Sequence, residues 1–219
     1  MPKNTGNTAA KEFYARLSSR IKHPVETRNL SSDTSDLDAE FIVGRISAVG
    51  KEKPTLLDLG CGAGTILDQV ASSFGKVVAV DQSSKFLSFI RKRDNLTLVN
   101  QDLLTLQLEE TFDLVTAFGT MHYFSAEEAS LVYNRVFTFV KPGGLFIVKN
   151  QFGVNRALEV TYSKELKEEY YAQYRTTQEE IGLLCKAGFF LVGLVDIYPA
   201  RYNRWPDTHF YALVAKRAT

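Results

Sequence analysis

Cysteine is nearly absent from this chain, with two in 219 residues, Cys61 and Cys185. Two thiols, one in a glycine-rich turn and one in a predicted helix, exclude a disulfide-stapled framework and fit a reducing compartment. Histidine is almost as scarce: His23, His122 and His209 have no ligand spacing, so no metal site is expected. Neither sign of charge prevails, since 26 Lys and Arg stand against 25 Asp and Glu for a net charge of +1. No basic arm is present, which removes support for a general electrostatic grip on nucleic acid. No apolar run approaches the roughly 20 residues needed to span a bilayer. The segment 1–10 has no apolar core of a signal peptide. These absences lead to the expectation of a cytoplasmic protein with a small-molecule partner and neither a nucleic acid nor a membrane to bind. A hydrophobic fraction of 45% over 219 residues is enough for one domain with a full core.

What is present is a glycine-rich turn of the kind that grips a nucleoside-like cofactor. Leu56-Leu57-Asp58-Leu59 is an apolar strand that runs into Gly60-Cys61-Gly62-Ala63-Gly64, and Val77-Val78-Ala79-Val80 is a second apolar strand ending on Asp81. Glycines let backbone approach a ligand, and an acid at the end of the next strand accepts ribose hydroxyls. A Cys61 nucleophile has no helper base nearby, and a small packed turn residue is the better reading.

The hydrophobic pattern predicts helices over 11–21, from Ser35 to about Val49, and over 65–74, 83–93 and 125–140. It predicts strands over 55–59, 77–81, 96–100, 112–118 and 145–149. Ser125 with Glu128 forms a capping box. Lys141-Pro142-Gly143-Gly144 stops that helix. Continuous apolar strands alternating with amphipathic helices imply a parallel sheet covered on both faces. Residues 151–175 read as a tyrosine-rich flap, with a short helix from Ser163 to Tyr174. Thr177 with Glu180 caps a last helix that ends at Gly188. Strands over 189–198 and 209–216 follow without a helix between them and read as an antiparallel hairpin. The whole is a single α/β domain, doubly wound, around a mostly parallel seven-stranded sheet with a reversed C-terminal edge strand. Residues 1–50 form N-terminal cap helices.

These pieces resemble the class I S-adenosylmethionine-dependent methyltransferases, small-molecule type, over roughly residues 35–216. The turn 58–64 is similar to that family's first motif, Asp81 to its ribose-binding acid, Gln101-Asp102-Leu103 to its adenine-contacting segment, and the final hairpin to its reversed seventh strand. The resemblance implies S-adenosylmethionine as cofactor, without a metal. It also implies a cofactor site of Asp58, Gly60, Cys61, Gly62, Gly64, Asp81, Gln82, Gln101, Asp102, Leu103 and Phe118, with Arg28 as a clamp for the cofactor carboxylate. The helix opening at Thr65 would point free N–H groups at that carboxylate.

His122, in the loop after the fourth strand, is the candidate proton acceptor, and Tyr14 in the N-terminal helix is the candidate to bond cofactor or substrate. Tyr170, Tyr174, Tyr202 and His209 are candidates to line the acceptor pocket. The loop Phe118-Gly119-Thr120-Met121-His122-Tyr123 is not of the Asn-Pro-Pro-Tyr type, which argues against nucleic-acid amino groups as acceptors. A sugar or nucleotide-sugar oxygen is the favoured acceptor and an amine the next. An RNA or protein methyltransferase and a non-catalytic subunit of the same fold are the remaining alternatives. A nicotinamide-dependent oxidoreductase is the main competitor in another class. Its third glycine should come one residue later than Gly64, and a substrate domain should follow.

Overall fold

The computed structural model describes residues 6–24, 34–163, 167–203 and 205–219. Five parallel strands form the left and centre of one sheet: β1 (Thr55–Leu59), β2 (Lys76–Asp81), β3 (Leu96–Asn100), β4 (Phe112–Phe118) and β5 (Val140–Gly153). Its order is β3-β2-β1-β4-β5-β9-β8, with β8 at Phe190–Asp196 and β9 at Thr208–Lys216. β9 is antiparallel to both neighbours, so the reversed C-terminal strand is present. It lies one place in from the edge, which β8 occupies. The chain order reverses between β1 and β4, and the carboxyl ends of those strands open the crevice where ligands bind in such sheets.

Helices α5 (Ala126–Phe139) and α6 (Thr177–Lys186) cover one face. There Leu57, Leu59, Val115 and Phe146 meet Val132, Tyr133, Val136 and Leu184. On the other face Leu56, Val77, Leu114 and Ile147 meet α2 (Ser35–Val43) and the short helices α3 (Leu67–Val70) and α4 (Ser84–Leu87). The strands present apolar side chains to both faces because each is covered on both.

α5 is capped as its sequence predicts, with Ser125 and Glu128 satisfying each other's backbone N–H. Four local expectations are corrected. The helix expected from Thr65 begins at Leu67 and lasts four residues, because the turn of Gly60–Gly64 carries on through Ile66. A helix this short does not supply the anion site expected at its N-terminus. The helix expected over 83–93 closes at Leu87, where Ser88 Oγ donates to the Lys85 carbonyl and competes with the helical ladder. The last helix is capped by Thr176 and Glu179 rather than by Thr177 and Glu180. Glu180 is instead buried against Arg175.

The fourth correction concerns the flap. It is a hairpin, β6 (Leu158–Ser163) and β7 (Glu168–Tyr174), not a helix. Tyr170, Ala172 and Tyr174 share one face and Glu169, Tyr171 and Gln173 the other, and this period of two wins over the helical spacing of two of the same tyrosines. The Tyr170 face packs on α1 (Asn7–Arg20) through Phe13 and Leu17. The Phe13 and Tyr170 rings meet edge to face at 5.2 Å. Helix and hairpin together roof the carboxyl ends of β1 and β4.

Candidate functional site

Gly60 adopts φ 72°, and a Cβ there would lie 2.3 Å from Thr120 Oγ1. Only glycine permits this approach of the β1 turn to the loop after β4. Gly60 and Cys61 both donate their N–H to the Val80 carbonyl, at 2.8 and 3.0 Å. The turn is thereby stitched to the end of β2. Gly62, at φ 56°, donates its N–H to Asp81 Oδ2 at 2.9 Å, while Asp81 Oδ1 accepts from the Ser83 N–H at 2.8 Å. Each oxygen retains a lone pair. Burial raises the Asp81 carboxyl above its usual range, opposed by those two N–H groups.

Asp58, at the end of β1, is buried and accepts from the Thr116 hydroxyl on β4 at 2.8 Å. Desolvation, with smaller contributions from the charges of Asp81 and Asp38, pushes it up to about 6. Two carboxylates whose affinity for a proton is raised by burial thus share one pocket wall. The Cys61 thiol is pushed up by burial and by both acids, so it stays protonated, as a packed turn residue should.

The pocket that these groups enter is lined by Tyr14, Asp58, Gly60, Cys61, Gly62, Asp81, Phe118, His122 and Tyr174, all expected from the sequence. Phe86, Thr120, Tyr123, Lys149, Gln151 and Phe210 line it as well and were not anticipated. His122 sits in a 3₁₀ turn, Met121–Tyr123, with its Nδ1 3.2 Å from Asn150 Oδ1 and its ring stacked on Tyr174 at 5.3 Å. The turn is anchored from below. Arg175 donates to the Met121 and Phe124 carbonyls at 2.8 and 2.7 Å and ion-pairs with buried Glu180, which also accepts from Tyr133. Tyr14 shares a hydroxyl hydrogen bond with Tyr123, which accepts from Tyr170 at 3.3 Å. Burial and the neighbouring tyrosines hold the Tyr14 phenol far above its ordinary range, so it remains a neutral donor.

Lys149 is the least expected wall residue. It is 4% exposed, and its Nζ lies 3.2 Å from Asp38 on α2 and 2.7 Å from the Tyr198 hydroxyl. Tyr198 in turn donates to Asp38. The signal was available: Leu145-Phe146-Ile147-Val148 is apolar and then turns into Lys149-Asn150-Gln151. A polar tip at the carboxyl end of a buried parallel strand has little reason to exist except in a site.

Other expected residues are not brought to this wall. Gly64 packs against Ile90 and Gln82 is exposed. Gln101 accepts from the Gln107 N–H. Asp102 pairs with Lys11 and accepts from Asn7, so it tethers α1, and Leu103 is buried in the larger core cluster. Tyr170 is buried one layer behind Tyr174. The Tyr202 ring meets that of Tyr198 edge to face at 5.8 Å. His209 bonds Asp196 at 2.7 Å and Asn203 at 2.9 Å on the terminal hairpin. Arg28 lies outside the described residues.

Residues 56–144 match the family model described as a methyltransferase domain. The chain is similar to the malonyl-[acyl-carrier protein] O-methyltransferase of Priestia megaterium, with 21% identity over 76% of this chain and 58% of the relative. It is also similar to the dTDP-3-amino-3,4,6-trideoxy-alpha-D-glucopyranose N,N-dimethyltransferase of Streptomyces venezuelae, with 28% identity over 51% of this chain and 48% of the relative. The chain spans about half the length of the curated relatives it matches. Among solved structures, the Burkholderia thailandensis 1,6-didemethyltoxoflavin-N1-methyltransferase, with that compound and S-adenosylhomocysteine bound, shares the fold. Its TM-score is 0.73 at 17% identity, over 96% of this chain and 91% of that one.

Proposed function

With a methyltransferase domain over residues 56–144 and the class I methyltransferase fold around it as premise, we propose that this chain moves a methyl group from S-adenosylmethionine to a small molecule, at an oxygen atom. The observation that carries this reading is one pocket shared by buried Asp58, half-buried Asp81, a glycine turn and His122.

The residues suit the cofactor. A Cβ on Gly62 or Gly119 would meet nothing within 4 Å, so the backbone there fronts open space. In this reading Asp81 accepts the ribose hydroxyls through the lone pairs its backbone partners leave. Asp58, raised to about 6, is mostly ionised at neutral pH and attracts the cofactor's ammonium. When bound, the cofactor supplies a methyl on a sulfonium, an electrophile that needs alignment more than covalent help. Alignment of this kind is worth about 7–11 kcal/mol.

The chain's own part is to orient, to exclude water and to take one proton. The α1–hairpin roof, with Tyr14 and Tyr174 on its underside and Tyr123 of the turn after β4 against it, keeps water from the methyl. His122 accepts the proton of the acceptor hydroxyl at Nε2 while its Nδ1–H stays on Asn150. An amine acceptor is a second reading, supported by the N-methyltransferase names among the similar proteins. The same histidine would deprotonate an ammonium before attack.

The test is release of S-adenosylhomocysteine by the purified chain across sugars, nucleotide-sugars, amines and carboxylates. Turnover on at least one class is expected. Absence of any heat of binding with S-adenosylmethionine or S-adenosylhomocysteine would overturn the reading.

A further inference from the structure

Gln151 is a buried amide in the pocket wall that bonds through its amino end alone. It is 2% exposed. Its Nε2 donates to Thr208 Oγ1 at 2.5 Å, and Thr208 Oγ1 donates its own proton to the Trp205 carbonyl at 2.5 Å. This relay fixes which way the amide points. The Trp205 carbonyl can only accept, so Thr208 must donate to it, and Gln151 must therefore present its NH2 to Thr208. The carbonyl oxygen, Oε1, is left over. It is buried and meets no hydrogen-bond donor.

An acceptor withdrawn from water without a partner is destabilising. Such groups are uncommon in folded proteins and call for a reason. Gln151 lines the pocket together with Lys149, two residues earlier on the same face of β5, and with Phe210, its register partner on β9. The soft terminal torsion of a glutamine lets Oε1 follow a donor that arrives from the pocket while the Thr208 contact persists.

We infer that the Gln151 carbonyl oxygen recognises a hydroxyl or amino hydrogen on the methyl-accepting molecule. This rests on the methyl-transfer reading above and sharpens it. The acceptor carries a donor group for Gln151, so hydroxylated and amino-bearing molecules are taken in preference to ethers or fully alkylated analogues of the same shape. A site built to bond such a hydrogen discriminates strongly against the analogue that lacks it, because the buried oxygen is then left unpaired.

The test uses the full chain saturated with S-adenosylhomocysteine, with binding of that compound measured first by calorimetry. Glycerol and ethanolamine, which carry donors, and 1,2-dimethoxyethane and 1,4-dioxane, which carry none, are then titrated by saturation-transfer NMR. The wild-type chain is expected to bind the first pair and to discriminate against the second. Gln151→Met should weaken the first pair by about three- to tenfold and leave the second unchanged. Gln151→Glu, which when protonated keeps a carbonyl acceptor and an O–H for Thr208, should retain the preference. Melting with bound S-adenosylhomocysteine checks that both variants are folded. Equal behaviour of the two probe pairs on the wild-type chain overturns the inference. So does a Gln151→Glu variant as indifferent as Gln151→Met, which would mark the residue as packing alone. Failure of S-adenosylhomocysteine to bind at all would instead remove the methyl-transfer reading, and this inference with it.

Discussion

His122 Nδ1 lies 3.2 Å from Asn150 Oδ1, across the junction between the loop after β4 and the tip of β5. An amide oxygen can only accept, so the imidazole proton sits on Nδ1 and the basic lone pair sits on Nε2. The pair converts a histidine in a short turn into a base of defined orientation. His122→Ala should lower turnover by about 10²-fold or more, with affinity for S-adenosylhomocysteine unchanged by calorimetry. Full activity of that variant would remove His122 as the base. Asn150→Asp should hold the imidazolium more tightly and move the acidic limb of the kcat profile to higher pH, whereas a merely structural Asn150 would leave the limb in place.

Asp81 has two tasks, holding the Gly62 and Ser83 N–H groups and facing the pocket. Asp81→Ala should weaken S-adenosylhomocysteine by about tenfold or more, because charge-assisted hydrogen bonds contribute ~1.5–3 kcal/mol. Calorimetry at constant pH measures it. An affinity equal to that of the wild-type chain would defeat the ribose assignment.

Asp58 should make cofactor affinity depend on pH. Its carboxyl is raised to about 6 by burial, and only the ionised form attracts an ammonium. Binding of S-adenosylhomocysteine should therefore tighten about tenfold between pH 5 and 7, and Asp58→Asn should flatten that rise. For stability the sign is opposite to that of a salt-bridged acid. The folded pKa lies above the unfolded value of 3.8, so the unliganded chain loses stability as pH rises from about 4 to about 6. Asp58→Asn should accordingly raise the melting temperature at pH 7 relative to wild type and give no such gain at pH 4.

Arg175 carries the turn on which His122 rides. Arg175→Ala would leave Glu180 buried without its counter-charge and release the Met121 and Phe124 carbonyls. A loss of about 3–5 kcal/mol is expected in urea unfolding. Replacing both partners with apolar residues, as in Arg175→Met with Glu180→Leu, should recover a good part of it. Single and double variants of equal stability would contradict the account.

Much of the frame is legible in the chain itself. Strand, glycine turn and acid-ended strand are local patterns, and the turn announces Gly60 although its close approach to Thr120 is a tertiary contact. The Ser125–Glu128 cap and the stop at Pro142-Gly143-Gly144 are of the same kind. The flap was misread because Tyr170 and Tyr174 satisfy a helical spacing, while Tyr170, Ala172 and Tyr174 satisfy a strand spacing just as well. Only the apolar surface of α1, supplied by Phe13 and Leu17, selects the strand.

The limit is one of distance along the chain. Local periodicity and backbone sterics act over a few residues, and they were enough to determine the alternation of strands and helices, the glycine turn and the acid at position 81. Which polar tips converge was decided by strand order and register, which bring Lys149 to Asp38 across 111 residues and Tyr198 to Asp38 across 160. The same register turned His209 towards Asp196 and set Gln151 in the pocket wall, and the docking of α1 gave Asp102 to Lys11. Desolvation and hydrogen-bond pairing operate only between groups already packed together, so these roles exist only once the sheet has closed.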